Sequence, residues 1–295
     1  MAFNTIGILG RSIDEATIDT YQQLISYLGH KQCQILIEPH ANKALQLFGE
    51  HITVYERNQI AANSDLIVVI GGDGSLLQAA QCAVTYQTPI IGINRGRLGF
   101  LADIKPDEIE KDLGAILEGE YLLDKRFLIE AATINGVDAF CSALNDIVLA
   151  SGDTAHMIEF DIYVDDHFMT REHADGLIIA TPTGSTAYAL SGGGPIVHPK
   201  LDALLLVPMF PHNLSSRPFV INGNSQVQII IGDKDFHTPP HLNVDGKQVQ
   251  TFNKGDGLII RKRCDKLKLL HPQHYDYYQN LRSKMHWGNN QSKGY

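Results

Sequence analysis

The chain has 295 residues, 44% of them hydrophobic and 19% charged, with a formal net charge of −9 at pH 7. No apolar run approaches the ~18 residues that span a bilayer, and the acidic balance argues against general attraction to nucleic acid or to an anionic membrane. Cys33, Cys82, Cys141 and Cys264 are far apart with no CxxC pair, so neither a zinc site nor a disulfide framework is indicated. Free, buried thiols fit a reducing cytoplasm, and the first ten residues do not read as a signal peptide.

Thr5-Ile6-Gly7-Ile8-Leu9-Gly10 is a short apolar strand ending in a turn. Residues 14–28 place Ile18, Tyr21, Leu24, Ile25 and Leu28 at helical spacing. Residues 34–37 read as a second strand and residues 40–48 as a weaker helix. The run Asp65-Leu66-Ile67-Val68-Val69-Ile70 is unbroken and β-branched, like a strand buried on both faces. A helix rich in Leu, Ala and Gln follows over 76–86, then another buried strand over 89–94. This alternation predicts a parallel sheet covered by helices, with ligands at the carboxyl ends of its strands.

After a helix over 106–117 the pattern changes to strands with little intervening helix, over 127–134, 140–150, 157–164, 176–180, 226–231 and 257–263. Asn135-Gly136 is a hairpin signal. These runs predict an antiparallel β-sandwich, with the boundary near residues 121–125. The tail over 272–287 spaces Tyr275, Tyr278, Leu281 and Met285 as an amphipathic helix, expected to cover the first domain, and residues 289–295 are expected to be disordered.

Gly71-Gly72-Asp73-Gly74-Ser75 joins the central strand to its helix. Glycines let a ligand approach the backbone, and the helix N-terminus offers N–H groups and partial positive charge to a phosphate. A carboxylate is unwelcome there unless it binds a proton or a metal, so Asp73 marks a candidate site of phosphoryl transfer; the plainer alternative is that it caps the helix. Arg95 and Arg97 follow the next strand and are able to hold a polyphosphate bidentately, or are merely solvated.

Asn145 and Asp146 lie side by side within an apolar strand. Such a pair needs partners, and an amide with a carboxylate suits the base and ribose hydroxyls of a nucleoside. The run Thr181-Pro182-Thr183-Gly184-Ser185-Thr186-Ala187-Tyr188 breaks a strand and is expected to expose four hydroxyls, with Tyr188 available to stack on a ring. Ser191-Gly192-Gly193-Gly194-Pro195 reads as a second flexible loop. His156 and His173 sit beside these segments and can face phosphates, whereas His198, His212, His241 and His271 adjoin or nearly adjoin prolines and read as turn residues. No histidine pair has metal-ligand spacing and no serine sits in a Gly-x-Ser-x-Gly elbow.

Taken together, these stretches resemble the NAD kinase family, closest to its proteobacterial members. The matches are Gly71-Gly72-Asp73-Gly74, Asn94 to Leu101, Asn145-Asp146, Asp175-Gly176, the Thr181 to Tyr188 run, Gly193-Gly194-Pro195-Ile196 and Leu270-His271-Pro272. The glycine turn alone is shared with diacylglycerol kinases and phosphofructokinases; the threonine-rich run is far more specific. The resemblance implies α/β plus all-β architecture: a Rossmann-like parallel domain over 1–125 joined by the tail 266–295, and an antiparallel β-sandwich over 126–265. It implies an active site between the domains, often completed by a neighbouring subunit, in a homo-oligomer that is commonly a tetramer. It implies transfer of the terminal phosphate of ATP to the 2′-hydroxyl of the adenosine ribose of NAD, with a divalent cation, Mg or Mn, in the cytoplasm. By that likeness Asp73 is the catalytic carboxylate, with Gly72 and Gly74 against the dinucleotide. Asn145 and Asp146 would hold the adenosine half and Asp175 the nicotinamide half. Thr186, Ala187, Tyr188, Ala189, Leu190 and Ser191 would line the adenine pocket, and His156, His173 and Lys247 join the binding set. Two positions depart from the family pattern: Asp146 stands where Glu is usual, and His173 where close relatives carry Arg. The second replaces a permanent cation with a titratable one near the nicotinamide.

Overall fold

The computed structural model describes residues 2–10, 15–47, 49–95, 99–134, 136, 140–152 and 156–287. The expectations for Arg97, Asn135 and residues 289–295 lie outside them. The chain divides into two compact units, Met1–Lys125 with Leu267–Tyr295, and Arg126–Lys266.

In the first unit the strands β1 (Thr5–Gly10), β2 (Gln34–Ile37), β3 (Ile52–Val54), β4 (Leu66–Ile70) and β5 (Ile90–Ile93) alternate with helices α1 (Glu15–His30), α2 (Pro39–Leu45), α3 (Arg57–Asn63) and α4 (Asp73–Tyr86). The five strands are parallel, in the order β5-β4-β1-β2-β3. Every residue of β4 and β5 is buried, because helices cover both faces; hence unbroken apolar runs instead of alternation. The strand order reverses at β1, so the ligand crevice of such a sheet opens beyond the ends of β1 and β4. Gly10 pairs with Ile70 there, directly before the glycine turn. The expectation missed β3 and α3, which are three and seven residues long and too short to show a period.

Residues 106–117, expected as one helix, run as a 3-10 turn (Pro106–Glu108), a π turn (Ile109–Leu113) and an α turn (Gly114–Leu117). The wider middle turn lets Ile109 and Leu113 join Ile116 and Leu117 in the core. Farther on, Leu269 runs parallel beside Ile90. The C-terminal helix is shorter than expected, Tyr277–Met285, and Asp276 caps it by accepting from the N–H groups of Tyr278 and Gln279. That cap separates Tyr275 from the helix, so Tyr278 is 58% exposed while Leu281 and Asn280 are buried. Among the described residues no helix is long and apolar enough to cross a membrane.

The second unit contains β7 (Cys141–Ala143), β8 (Asp146–Ala150), β9 (Ile158–Val164), β10 (His167–Ala174), β11 (Gly176–Ala180), β12 (Ala203–Met209), β13 (Phe219–Asn222), β14 (Val227–Ile231), β15 (His241–Val244) and β16 (Lys247–Thr251), with most of β6 (Leu122–Thr133) and β17 (Gly257–His271). One antiparallel sheet has the order β13-β12-β11-β8-β15-β16 and another includes β10-β9-β14-β17. Phe160, Ile162 and Ile229 of one sheet share a core with Leu149, Ile179 and Leu206 of the other. The opposite face of β8, β11 and β12 is also covered, with Ile178, Leu205 and Val207 packed around Ala189 and Val197. Burial on both faces makes these strands read as solid apolar runs, and a run without alternation such as β12 cannot be told from helix by period alone. The strand expected over 140–150 is broken at Leu144-Asn145. Cys33 and Cys82 are buried, but Cys141 is half-buried and Cys264 exposed, against the expectation that all four lie inside.

Candidate active site

The glycine turn is tighter than the sequence implies, since α4 begins at Asp73 itself with Gly72 as its N-cap residue. Gly71 holds φ at +144°, and a Cβ there would stand 2.8 Å from the Ser75 Cβ. At Gly72 and Gly74 an added Cβ would meet nothing within 4 Å, so this backbone is bare. The N-cap position is filled by Gly72, which has no side chain to cap with, and Asp73 is the acidic residue of the first turn. Its carboxylate accepts the N–H groups of Phe100 at 3.0 Å and Leu101 at 3.1 Å. These two bonds tie Asp73 to residues 100 and 101, on a segment outside its own helix. A Cβ on Gly99 would overlap Asp73 Oδ1, so only glycine lets the two segments close. Two of the carboxylate's roughly four lone-pair sites are thus used for orientation. Arg95, from the loop after β5, donates to Thr20 Oγ1 at 2.7 Å.

In the second unit Asn145 and Asp146 are held by a residue that sequence reasoning missed. Asp245 accepts N–H groups from Leu144 at 2.9 Å, Asn145 at 2.8 Å and Asp146 at 3.3 Å. Asp245 and Gly246 have φ of +45° and +79°, and Val244 pairs with Lys247 across them. This is a two-residue hairpin with both central residues at positive φ, the geometry that favours Asp-Gly; the dipeptide was the available signal. Asp146 is 5% exposed, and burial, with the charge of Asp245 added, pushes its carboxyl up to about 7 despite a hydrogen bond from the Tyr188 backbone.

Of the four hydroxyls expected to be exposed, only that of Thr186 lies on a half-buried residue. Thr181, Thr183 and Ser185 are buried. The Thr181 hydroxyl donates to Leu144 O and accepts from Gly184 N–H, Ser185 Oγ accepts from Val197 N–H, and Thr183 Oγ1 accepts from Arg126. The chain folds back into a 3-10 turn (Gly184–Thr186) and a helical turn (Tyr188–Ser191), whose backbone consumes the hydroxyls that composition suggested were free. What remains open is Tyr188, half-exposed, which with Ser191, Gly193 and Met209 lines a 510 Å³ pocket. Ala187 and Leu190 belong to the same two turns, and Ala189 anchors them in the core.

The remaining expected site residues lie elsewhere in this unit, and His271 lies in the first unit. Lys247 is exposed on the first position of β16, next to the Asp245-Gly246 turn. Asp175 lies between β10 and β11, and its N–H donates to Met209 O. Asp146 pairs with Ala180, whereas Gly176, next to Asp175, pairs with Ala150; Asp146 and Asp175 are therefore at opposite ends of one ladder, their backbones about 17 Å apart at ~3.4 Å per residue. His173 on β10 is 3.0 Å from Glu159 Oε2 and also bonds Lys234. His156 is exposed, with its ring edge-on to His237. His271, expected in a turn, is instead buried against Asp103 and Asp124.

Comparison with known proteins identifies the family and the fold. Residues 6–121 match the ATP-NAD kinase N-terminal domain and residues 144–271 the ATP-NAD kinase C-terminal domain. The NAD kinases of Pseudomonas aeruginosa and Teredinibacter turnerae are each 44% identical over 288 residues, 97% of this chain and 97% of theirs. The crystal structure of yeast NADH kinase complexed with NADH superposes with a TM-score of 0.89 at 25% identity, covering 100% of this chain and 90% of that one. An Archaeoglobus fulgidus NAD kinase in complex with ATP gives 0.71 at 25% identity, over 96% and 98%. With both domains matched in order and the identity running nearly end to end, the chain belongs to the NAD kinase family.

Proposed function

We propose that this chain transfers the terminal phosphate of ATP to the 2′-hydroxyl of the adenosine ribose of NAD, giving NADP and ADP. The observation that carries this reading is Asp73, first residue of a helix at the sheet's crevice, with its carboxylate aimed by two backbone N–H groups. Phosphoryl transfer passes through a loose transition state, so the acceptor hydroxyl needs orientation first and proton removal late. Asp73 accepts the hydrogen bond of the 2′-hydroxyl on its uncommitted lone pairs and takes the proton as the new O–P bond forms. The backbone at Gly72 and Gly74, where an added Cβ would meet nothing within 4 Å, and the N-terminus of α4 receive phosphate charge. Asn145 and Asp146 bind the adenosine, Tyr188 stacks on its ring, and Asp175 and His173 meet the nicotinamide half.

A divalent cation, Mg or Mn, fits this donor set. Among the described residues no three His, Cys, Asp or Glu side chains cluster to hold one, but a cation that keeps its bonds to ATP phosphates and water needs only one or two carboxylates. When bound it neutralises phosphate charge. The resemblance to the NAD kinase family supports a homo-oligomer working in the cytoplasm, with the site completed by a second copy of the chain. The test is incubation with ATP, a divalent cation and NAD. NADP as product supports the reading; phosphorylation of diacylglycerol, or tight NAD binding without product, contradicts it.

A further inference from the structure

Residues 99–104 connect the candidate catalytic carboxylate to the C-terminal segment. At one end of this strap Phe100 and Leu101 give their N–H groups to Asp73. Its middle is fixed against β5. Asn94 N–H donates to Ile104 O at 2.7 Å, Ile104 N–H donates to Gly92 O at 3.2 Å, and a Cβ on Gly92 would stand 2.6 Å from that of Ala102. At the other end Asp103 accepts from Asn280 Nδ2 at 3.2 Å and pairs with His271 Nδ1. The His271 side chain is 1% exposed, its Nε2 is 3.5 Å from Asp124, and the Tyr275 ring stacks on it with centroids 3.8 Å apart. Burial disfavours the charged imidazole, yet Asp103 and Asp124 outweigh that and raise its pKa. Lys284, one turn beyond Asn280, places Nζ 5.6 Å from the Phe100 ring centroid. The C-terminal helix therefore touches the strap at both Phe100 and Asp103.

We infer that residues 271–284 position Asp73 through this strap, so that His271, Asn280 and Lys284 are positioning residues for phosphoryl transfer. The inference rests on the reading of Asp73 as the carboxylate that takes the hydroxyl proton. A strap end that is free to shift moves the Phe100 and Leu101 N–H groups, and with them the carboxylate; displacement by ~1 Å costs up to about 10²-fold in rate. Because His271→Gln risks unfolding the buried cluster, the test uses the full chain carrying Asn280→Ala or Lys284→Met. Each is expected to lower kcat by about 3- to 10-fold, with KM for NAD and ATP within about twofold. Amide exchange at Phe100 and Leu101 should quicken by about tenfold. Lys284→Arg, which keeps a cation over the ring, should restore both. Unchanged exchange at these two amides overturns the inference whatever kcat does, and unchanged kcat with faster exchange overturns it too. If Asp73→Asn itself keeps full turnover, the role of Asp73 fails instead, and the exchange rates still report whether the tail holds the strap.

Discussion

Asp146 offers a prediction whose size can be worked from its surroundings. The carboxyl is buried, and Asp245 lies beside it, so its pKa rises from 3.8 to about 7. A group raised in the folded state favours folding fully below its unfolded pKa, and that advantage is lost as pH climbs through the folded value. Between pH 5 and pH 8 the folded protein must ionise Asp146 while the unfolded chain is ionised already; at 1.36 kcal/mol per pH unit up to about 7, the loss is about 2–3 kcal/mol. Asp146→Asn keeps the shape and an acceptor for the Tyr188 N–H but has no charge to bury. Urea denaturation should therefore show the variant gaining about 2–3 kcal/mol on the parent from pH 5 to pH 8. If Asp146 receives the ribose hydroxyls as proposed, KM for NAD in the parent should fall about tenfold from pH 6 to pH 8 as its carboxylate ionises, and the variant should lose this dependence. A stability difference between parent and variant that is the same at both pH values would refute the argument.

Further expectations follow from the two held turns. Gly99→Ala forces a Cβ into Asp73 Oδ1, so kcat should fall by ~10- to 10²-fold with secondary structure by circular dichroism unchanged; parental kcat would mean that the carboxylate need not sit where it does. Asp245→Ala strips the acceptor from three N–H groups and should cost about 2–4 kcal/mol of stability by denaturant titration. It also removes a charge that raises Asp146, so the pH at which stability declines should move downward.

The parallel sheet and the glycine turn were legible because their signals are local: an apolar run, three glycines, then a helix-forming stretch. The elements that hold the site are not local. Asp245 acts on residues about 100 positions away, and its Asp-Gly hairpin carries no hint of what its carboxylate grips. Gly99 looks like a linker residue until Asp73 is set against it. His271 precedes a proline and read as a turn, yet its partners Asp103 and Asp124 sit on segments far back in the chain. The threonine-rich run misled in the opposite sense, since composition counts hydroxyls but not the backbone groups they satisfy. β10, β13 and β16 escaped because sheet ends need little apolar pattern; β12 escaped because a doubly buried strand has no period to show.

The central claim is that Asp73 takes the proton of the acceptor hydroxyl, and Asp73→Asn tests it most directly. The amide keeps the size of the side chain and one oxygen for the strap, but it cannot accept a proton and can satisfy only one of the Phe100 and Leu101 N–H groups. Turnover of NAD should fall by ~10²–10⁴-fold, while NAD affinity measured by calorimetry stays within a few-fold and the melting temperature shows the protein still folded. Turnover within a few-fold of the parent, with NAD bound equally well, would contradict the account.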